Sequence, residues 1–129
     1  MIKPPQVNGL VLCDRVRVEK EPPSFNLEGI FLTREFTVFP TPIVTFDVYA
    51  SFFDGRGEGL LRLLCTQLEG ERDIYYYDTW WVFSRHVQTM HLVRSVKKLF
   101  FTEPGRYSFT LAFDNIPLTV RYLDVKEVH

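Results

Sequence analysis

Apolar and polar side chains alternate with a period of two along most of this chain, and the clearest run lies near its end. Between Phe100 and Asp124, Tyr107, Phe109, Leu111 and Phe113 alternate with Ser108, Thr110, Ala112 and Asp114. A strand turns successive side chains to opposite faces, so this pattern predicts a strand with one aromatic buried face and one wet face. Pro104-Gly105 marks the turn before it and Asp114-Asn115 the turn after it. Leu118, Val120 and Tyr122 then alternate with Thr119 and Arg121, which predicts the returning partner of a hairpin.

The same period recurs upstream. Residues 1–7 read as an irregular lead-in, since Pro4-Pro5 cannot join a central strand. Asn8 to Glu19 is the first strand, apolar on both faces at its start, and Glu21-Pro22-Pro23-Ser24 breaks it. Phe25 to Phe31 is the second strand, with Gly29 marking a bulge or a close backbone approach. Thr33 to Pro42 reads as a loop or short edge strand whose aromatics cover one end of the core. Val44, Phe46, Val48, Ala50 and Phe52 form a central strand, with Asp54-Gly55-Arg56-Gly57 as the tight turn of a hairpin and Leu60 to Leu68 as its return. That return segment is apolar on both parities, and a helix would also suit its leucines. Ile74 to Phe83 is dense in β-formers and reads as a strand, with a short helix around Asp78 to Arg85 as the alternative. A parity shift between Leu92 and Leu99 predicts a bulge in the segment Met90 to Phe101.

About eight strands with turn punctuation and almost no helical periodicity predict an all-β chain, a two-sheet antiparallel β-sandwich with a closed barrel as the alternative. At 129 residues this is one domain, 1–129, able to bury a core without metal or disulfide support. Fifteen basic and sixteen acidic residues give a net charge of −1. So even a balance supplies no field to gather nucleic acid or an anionic membrane, and neither is expected as a partner. The N-terminal stretch carries no apolar run of secretory length and no segment has the length of a membrane span, so a cytoplasmic protein is expected. Cys13 and Cys65 then read as reduced, buried thiols.

Candidate chemistry is sparse. His86 and His91 are five apart, on opposite faces of a strand, and no HxH, HExxH or CxxC spacing is present. A metal held by Cys13, His86 and His91 would need ligands gathered from distant strands, so no metal and no cofactor is expected. Cys13 shares a face with Arg15, which would lower its pKa if both were exposed; a buried thiol is the plainer reading. Asp14, Asp47 and Asp78 interrupt apolar strands, as acids paired with arginine do. Gly55 to Gly59 lacks the lysine and helix of a phosphate loop and reads as a turn. The run Tyr75, Tyr76, Tyr77, Trp80, Trp81 and Phe83 is more informative. Tyr75, Tyr77, Trp81 and Phe83 share one parity and Tyr76 and Trp80 the other, so one set fills the core and the other covers a second surface.

Four segments carry a resemblance: Leu12-Cys13-Asp14-Arg15, Asn26-Leu27-Glu28-Gly29-Ile30-Phe31, Phe39-Pro40 and Pro104-Gly105-Arg106-Tyr107. In this order they resemble a family of small single-domain bacterial β-sandwich proteins of unknown function, across most of the chain. The resemblance implies a β-sandwich in the bacterial cytosol and carries over no catalytic residue. The expectation is therefore a non-catalytic protein acting through protein contacts, with another protein or with itself as a homo-oligomer. Its candidate surface is Tyr75, Tyr76, Tyr77, Trp80 and Trp81. The alternatives are a small-ligand or carbohydrate-binding module using Tyr76 and Trp80, and an enzyme assembled from Cys13, Asp14, Arg15 and His91.

Overall fold

The computed structural model describes residues 2–21, 23–83 and 89–129. They form nine strands: β1 Gln6–Lys20, β2 Pro23–Ile30, β3 Thr33–Phe36, β4 Val44–Phe53, β5 Gly57–Gln67, β6 Arg72–Phe83, β7 Thr89–Leu99, β8 Gly105–Phe113 and β9 Ile116–Glu127. One sheet runs β2-β1-β4-β7 and the other β3-β9-β8-β5-β6. The two share no strand pairing among the described residues, so the domain is a sandwich and the barrel alternative falls away. The first strand begins at Gln6, inside the stretch expected to be irregular.

The core lies where the inward parities of both sheets meet. Phe46, Val48, Ala50 and Phe52 of β4 face Leu61, Leu63 and Cys65 of β5 and the aromatic stripe Tyr107, Phe109, Leu111 and Phe113 of β8, all buried. Phe46 meets Phe109 edge to face across the sheets at 5.8 Å between centroids, a geometry the ring quadrupoles favour. Asp114 and Asn115 both adopt positive φ, 48° and 65°, which gives the β8–β9 hairpin the two-residue connection matched to strand twist. The expected bulge is real: Val44 pairs with Leu99 and Phe46 with Val96, so β7 carries one extra residue between its two inward parities.

Two expectations about connectivity need correction. The segment Asp54 to Gly57 does not close a hairpin, because β4 and β5 lie in different sheets. It is a corner between them, packed so closely that a Cβ on Gly55 would meet the Phe83 ring at 2.8 Å. Alternation within a strand is the same on either side of a hairpin and of a corner, so the pattern could not separate them. Nor is the sandwich antiparallel throughout: β3 joins the edge of its sheet parallel to β9.

Inward-pointing arginines finish the gaps between the sheets. Arg94 of β7 lies 3.9 Å over the Tyr77 ring and donates from Nε to the Tyr75 hydroxyl at 3.0 Å. Arg121 of β9 donates to the Leu10 carbonyl of β1 at 3.0 Å. Arg94 thereby places a charge between the two edge strands β7 and β6, where an open edge is the template for another strand.

Candidate functional site

β6 is the edge strand of the larger sheet, and its parity question now has an answer. Tyr75, Tyr77, Trp81 and Phe83 turn inward: all four pack against the core, with Trp81 edge-on to Phe52 at 5.2 Å. Tyr76, Trp80 and Val82 turn outward and are 67%, 60% and 59% exposed. Of the five residues expected as a candidate interaction surface, Tyr76 and Trp80 are therefore the exposed ones. Tyr75, Tyr77 and Trp81 are half-buried core residues, because a strand cannot present both parities to one partner.

The outward row is continuous with its neighbours. Leu64 of β5 pairs with Tyr76 and Leu60 with Trp80, and the two leucines lie half-buried beside the rings. This explains why Leu60 to Leu68 is apolar on both parities: one set enters the core and the other supports the outer aromatics. Further across, Leu64 pairs with Thr110 and Thr110 with Val120, while Tyr122 sits beside Ser108. Val120 and Tyr122 add exposed apolar surface on β9. The alternation separated Val120 and Tyr122, as apolar residues, from Thr119 and Arg121, but gave no sign that they turn outward or that they share a face with Tyr76 and Trp80, since β6 and β9 are separated by two strands.

An ion pair sits in the middle of this face. Arg62 donates from Nε and Nη2 to the two carboxylate oxygens of Asp78, at 2.6 Å and 2.8 Å. The fork holds the Asp78 carboxyl below its ordinary range, chiefly through the hydrogen bonds from Arg62. Arg62, Leu64, Asp73, Tyr76 and Asp78 line a shallow depression of about 420 Å³. The face thus combines two rings, aliphatic flanks and a neutralised charge pair.

The other candidates are placed elsewhere. Cys13 lies on the outer side of the smaller sheet, yet it is fully buried. The reason is the β1–β2 hairpin, which leaves β4 after Cys13 and leans back over that face. Phe25 reaches Tyr49 at 5.2 Å and His91 at 4.3 Å between centroids, and the Val16 N–H donates to Asp47 Oδ2 at 2.8 Å. Asp47 also accepts from Ser95 Oγ at 2.7 Å. Burial and then the Asp47 charge push the Cys13 thiol up, the opposite of what an activated nucleophile needs. The Arg15 side chain is exposed, and the hydrogen bond from its backbone lowers the thiol by less than burial and Asp47 raise it. His91 is taken by the Tyr49 hydroxyl at 2.6 Å, and Asp14 accepts from Arg34. Cys13, Asp14, Arg15 and His91 are thus not gathered as one reactive group.

Cys65 is a core residue on the other sheet, and both cysteines are free. His86 lies outside the described residues. Among the described residues no group of three or more His, Cys, Asp or Glu side chains is placed to hold a metal. No helix is long and apolar enough to cross a membrane among them.

No protein-family model matches the chain. Nor does any curated protein match it. Among solved structures, the chain is similar to an immunoglobulin-like protein from Pseudomonas aeruginosa, at 12% identity and a TM-score of 0.49, over 95% of this chain and 97% of that one. The two-sheet architecture itself stands on the strand pairing described above.

Proposed function

We propose that this chain is a non-catalytic bacterial protein of the cytoplasm that self-associates through the outer face of its larger sheet. It would belong with the small bacterial β-sandwich proteins it resembles. One observation carries the reading: Tyr76, Trp80 and Val82 stand exposed in one row, backed by Leu60 and Leu64. With aromatic side chains of roughly 150–250 Å² each, the uncovered parts of Tyr76, Trp80 and Tyr122 alone amount to roughly 350 Å². That is within the range of about 300–600 Å² where a monomer's largest apolar patch is often functional. It is also nearly half of the roughly 800 Å² that each partner contributes to a standard interface.

A second copy suits the face electrostatically. The net charge is −1, so copies meet little repulsion, and the central charges of Arg62 and Asp78 are already paired with each other. Two copies related by a twofold axis would bring the same rings against each other. Sedimentation velocity over a concentration series tests this. The wild type should self-associate and Trp80→Ala should weaken the association about thirty-fold or more, the loss that marks an interface hot spot. A wild type that stays strictly monomeric at high concentration overturns the reading.

The depression beside Tyr76 favours a second reading, a carbohydrate held by ring stacking on Tyr76 and Trp80 with Arg62 and Asp78 on its hydroxyls. Binding on a glycan array, lost in Tyr76→Ala, would select it; an array with no binding would remove it.

A further inference from the structure

Where the chain passes from β2 to β3, the two sheets enclose a cavity of about 200 Å³ that the outer face does not involve. Half of its lining is aromatic: Phe46 from β4, Phe36 from β3, and Phe31 and Phe101 from the adjoining loops, joined by Val44 and Thr45 of β4 and Leu123 of β9. Phe46, Phe101 and Leu123 are buried, and Phe31 meets Phe46 edge-on at 5.4 Å. The charged residue of the lining is Arg34, whose guanidinium carbon lies 3.8 Å over the Phe31 ring. Among the described residues its carboxylate partner is Asp14, reached through Nη2 alone. Arg62 spends both arms of its fork on Asp78, whereas among the described residues Arg34 engages a carboxylate through Nη2 and leaves Nε and Nη1 available.

Size and chemistry narrow what would fit. Apolar cavities of about 150 Å³ stay dry and take up benzene, whereas pockets for drug-sized ligands run from about 300 Å³ upward. A space between these limits holds one ring and a small substituent. Phenylalanine faces and edges complement a flat aromatic ring, and a guanidinium with free planar donors complements a carboxylate. We propose that this cavity binds a single-ring aromatic carboxylate of about the size of benzoate, the ring among the phenylalanines and the carboxylate on Arg34.

The test is an NMR titration of the intact protein with benzoate, toluene and acetate in turn, for wild type and Arg34→Gln. Benzoate should move the resonances of Phe31, Phe36, Val44 and Phe101 saturably. Arg34→Gln should weaken benzoate about ten-fold or more, the worth of a charge-assisted hydrogen bond, while toluene binds both proteins alike and so confirms that the cavity persists. Where Arg34→Gln does not fold, Arg34→Lys serves, since it keeps the charge and loses the planar fork. Three results would overturn the proposal: no saturable shift with benzoate, benzoate affinity unchanged without the guanidinium, or acetate binding as tightly as benzoate.

Discussion

Trp80 and Trp81 are neighbours in sequence and opposites in the fold, which makes replacing each with alanine a sharp test of the β6 assignment. Trp81 packs edge-on to Phe52 at 5.2 Å and lies 6.1 Å from Phe83. Truncating a core Trp costs about 3–5 kcal/mol; Trp81 is half-buried, so about 3 kcal/mol is expected. Trp80 is 60% exposed, leaving roughly 100 Å² covered on a side chain near the upper end of the aromatic range. At about 25 cal/mol per Å² that is at most about 2.5 kcal/mol. Alanine retains part of the contact and the unfolded chain already buries some of it, which brings the expected loss to about 1 kcal/mol. For a domain of this size each kcal/mol shifts Tm by about 4 °C. Thermal unfolding followed by circular dichroism, at protein concentrations low enough to exclude association, should therefore show a drop of about 12 °C for Trp81→Ala and about 4 °C for Trp80→Ala. Equal losses, or a larger loss at Trp80, would mean that the parity of β6 is reversed and that the outer face described above does not exist.

Gly29 opposes Asp14 across the β1–β2 pair with φ +68°, and a Cβ there would stand 2.7 Å from the Asp14 carboxyl carbon. Gly29→Ala should lower the urea-derived stability by about 2 kcal/mol, combining the left-handed backbone cost with displacement of Asp14 from Arg34. Adding Asp14→Ala should recover the steric part only, and a neutral Gly29→Ala would refute the close approach. The Asp78 carboxyl is held low by Arg62, so its contribution is complete above the ordinary carboxylate value of about 4 and is lost as pH falls through the native pKa. Asp78→Asn should accordingly be less stable than wild type at neutral pH and converge with it in acid; unfolding curves that run parallel down to about pH 2 would show that the pair does not form.

The resemblance to a bacterial family stood on four short segments, and three of them have a clear structural place. Leu12 faces the core while Cys13 is sealed beneath the hairpin; Gly29 accommodates Asp14; Gly105, at φ 144°, opens β8 ahead of Tyr107. These are demands of packing and backbone geometry.

Much of the architecture was legible from alternation because a strand's side-chain period is a local property of the backbone. Tyr107 to Phe113, Val44 to Phe52 and the Asp114-Asn115 turn each declared their conformation within a few residues, and the β7 bulge announced itself as a change of parity. Local pattern also exposed the surplus of aromatics in β6, since two filled parities need two surfaces to cover. What it lacked was any information about pairing. That β4 and β5 separate into different sheets, that β3 lies parallel to β9, and that the β1–β2 hairpin buries Cys13 from outside all depend on contacts between residues distant in sequence. The choice of which parity of β6 enters the core belongs with these. It is decided by Phe52 and Arg94 on the opposite sheet and by Leu60 and Leu64 on the same one, and no property of β6 alone distinguishes Trp80 from Trp81.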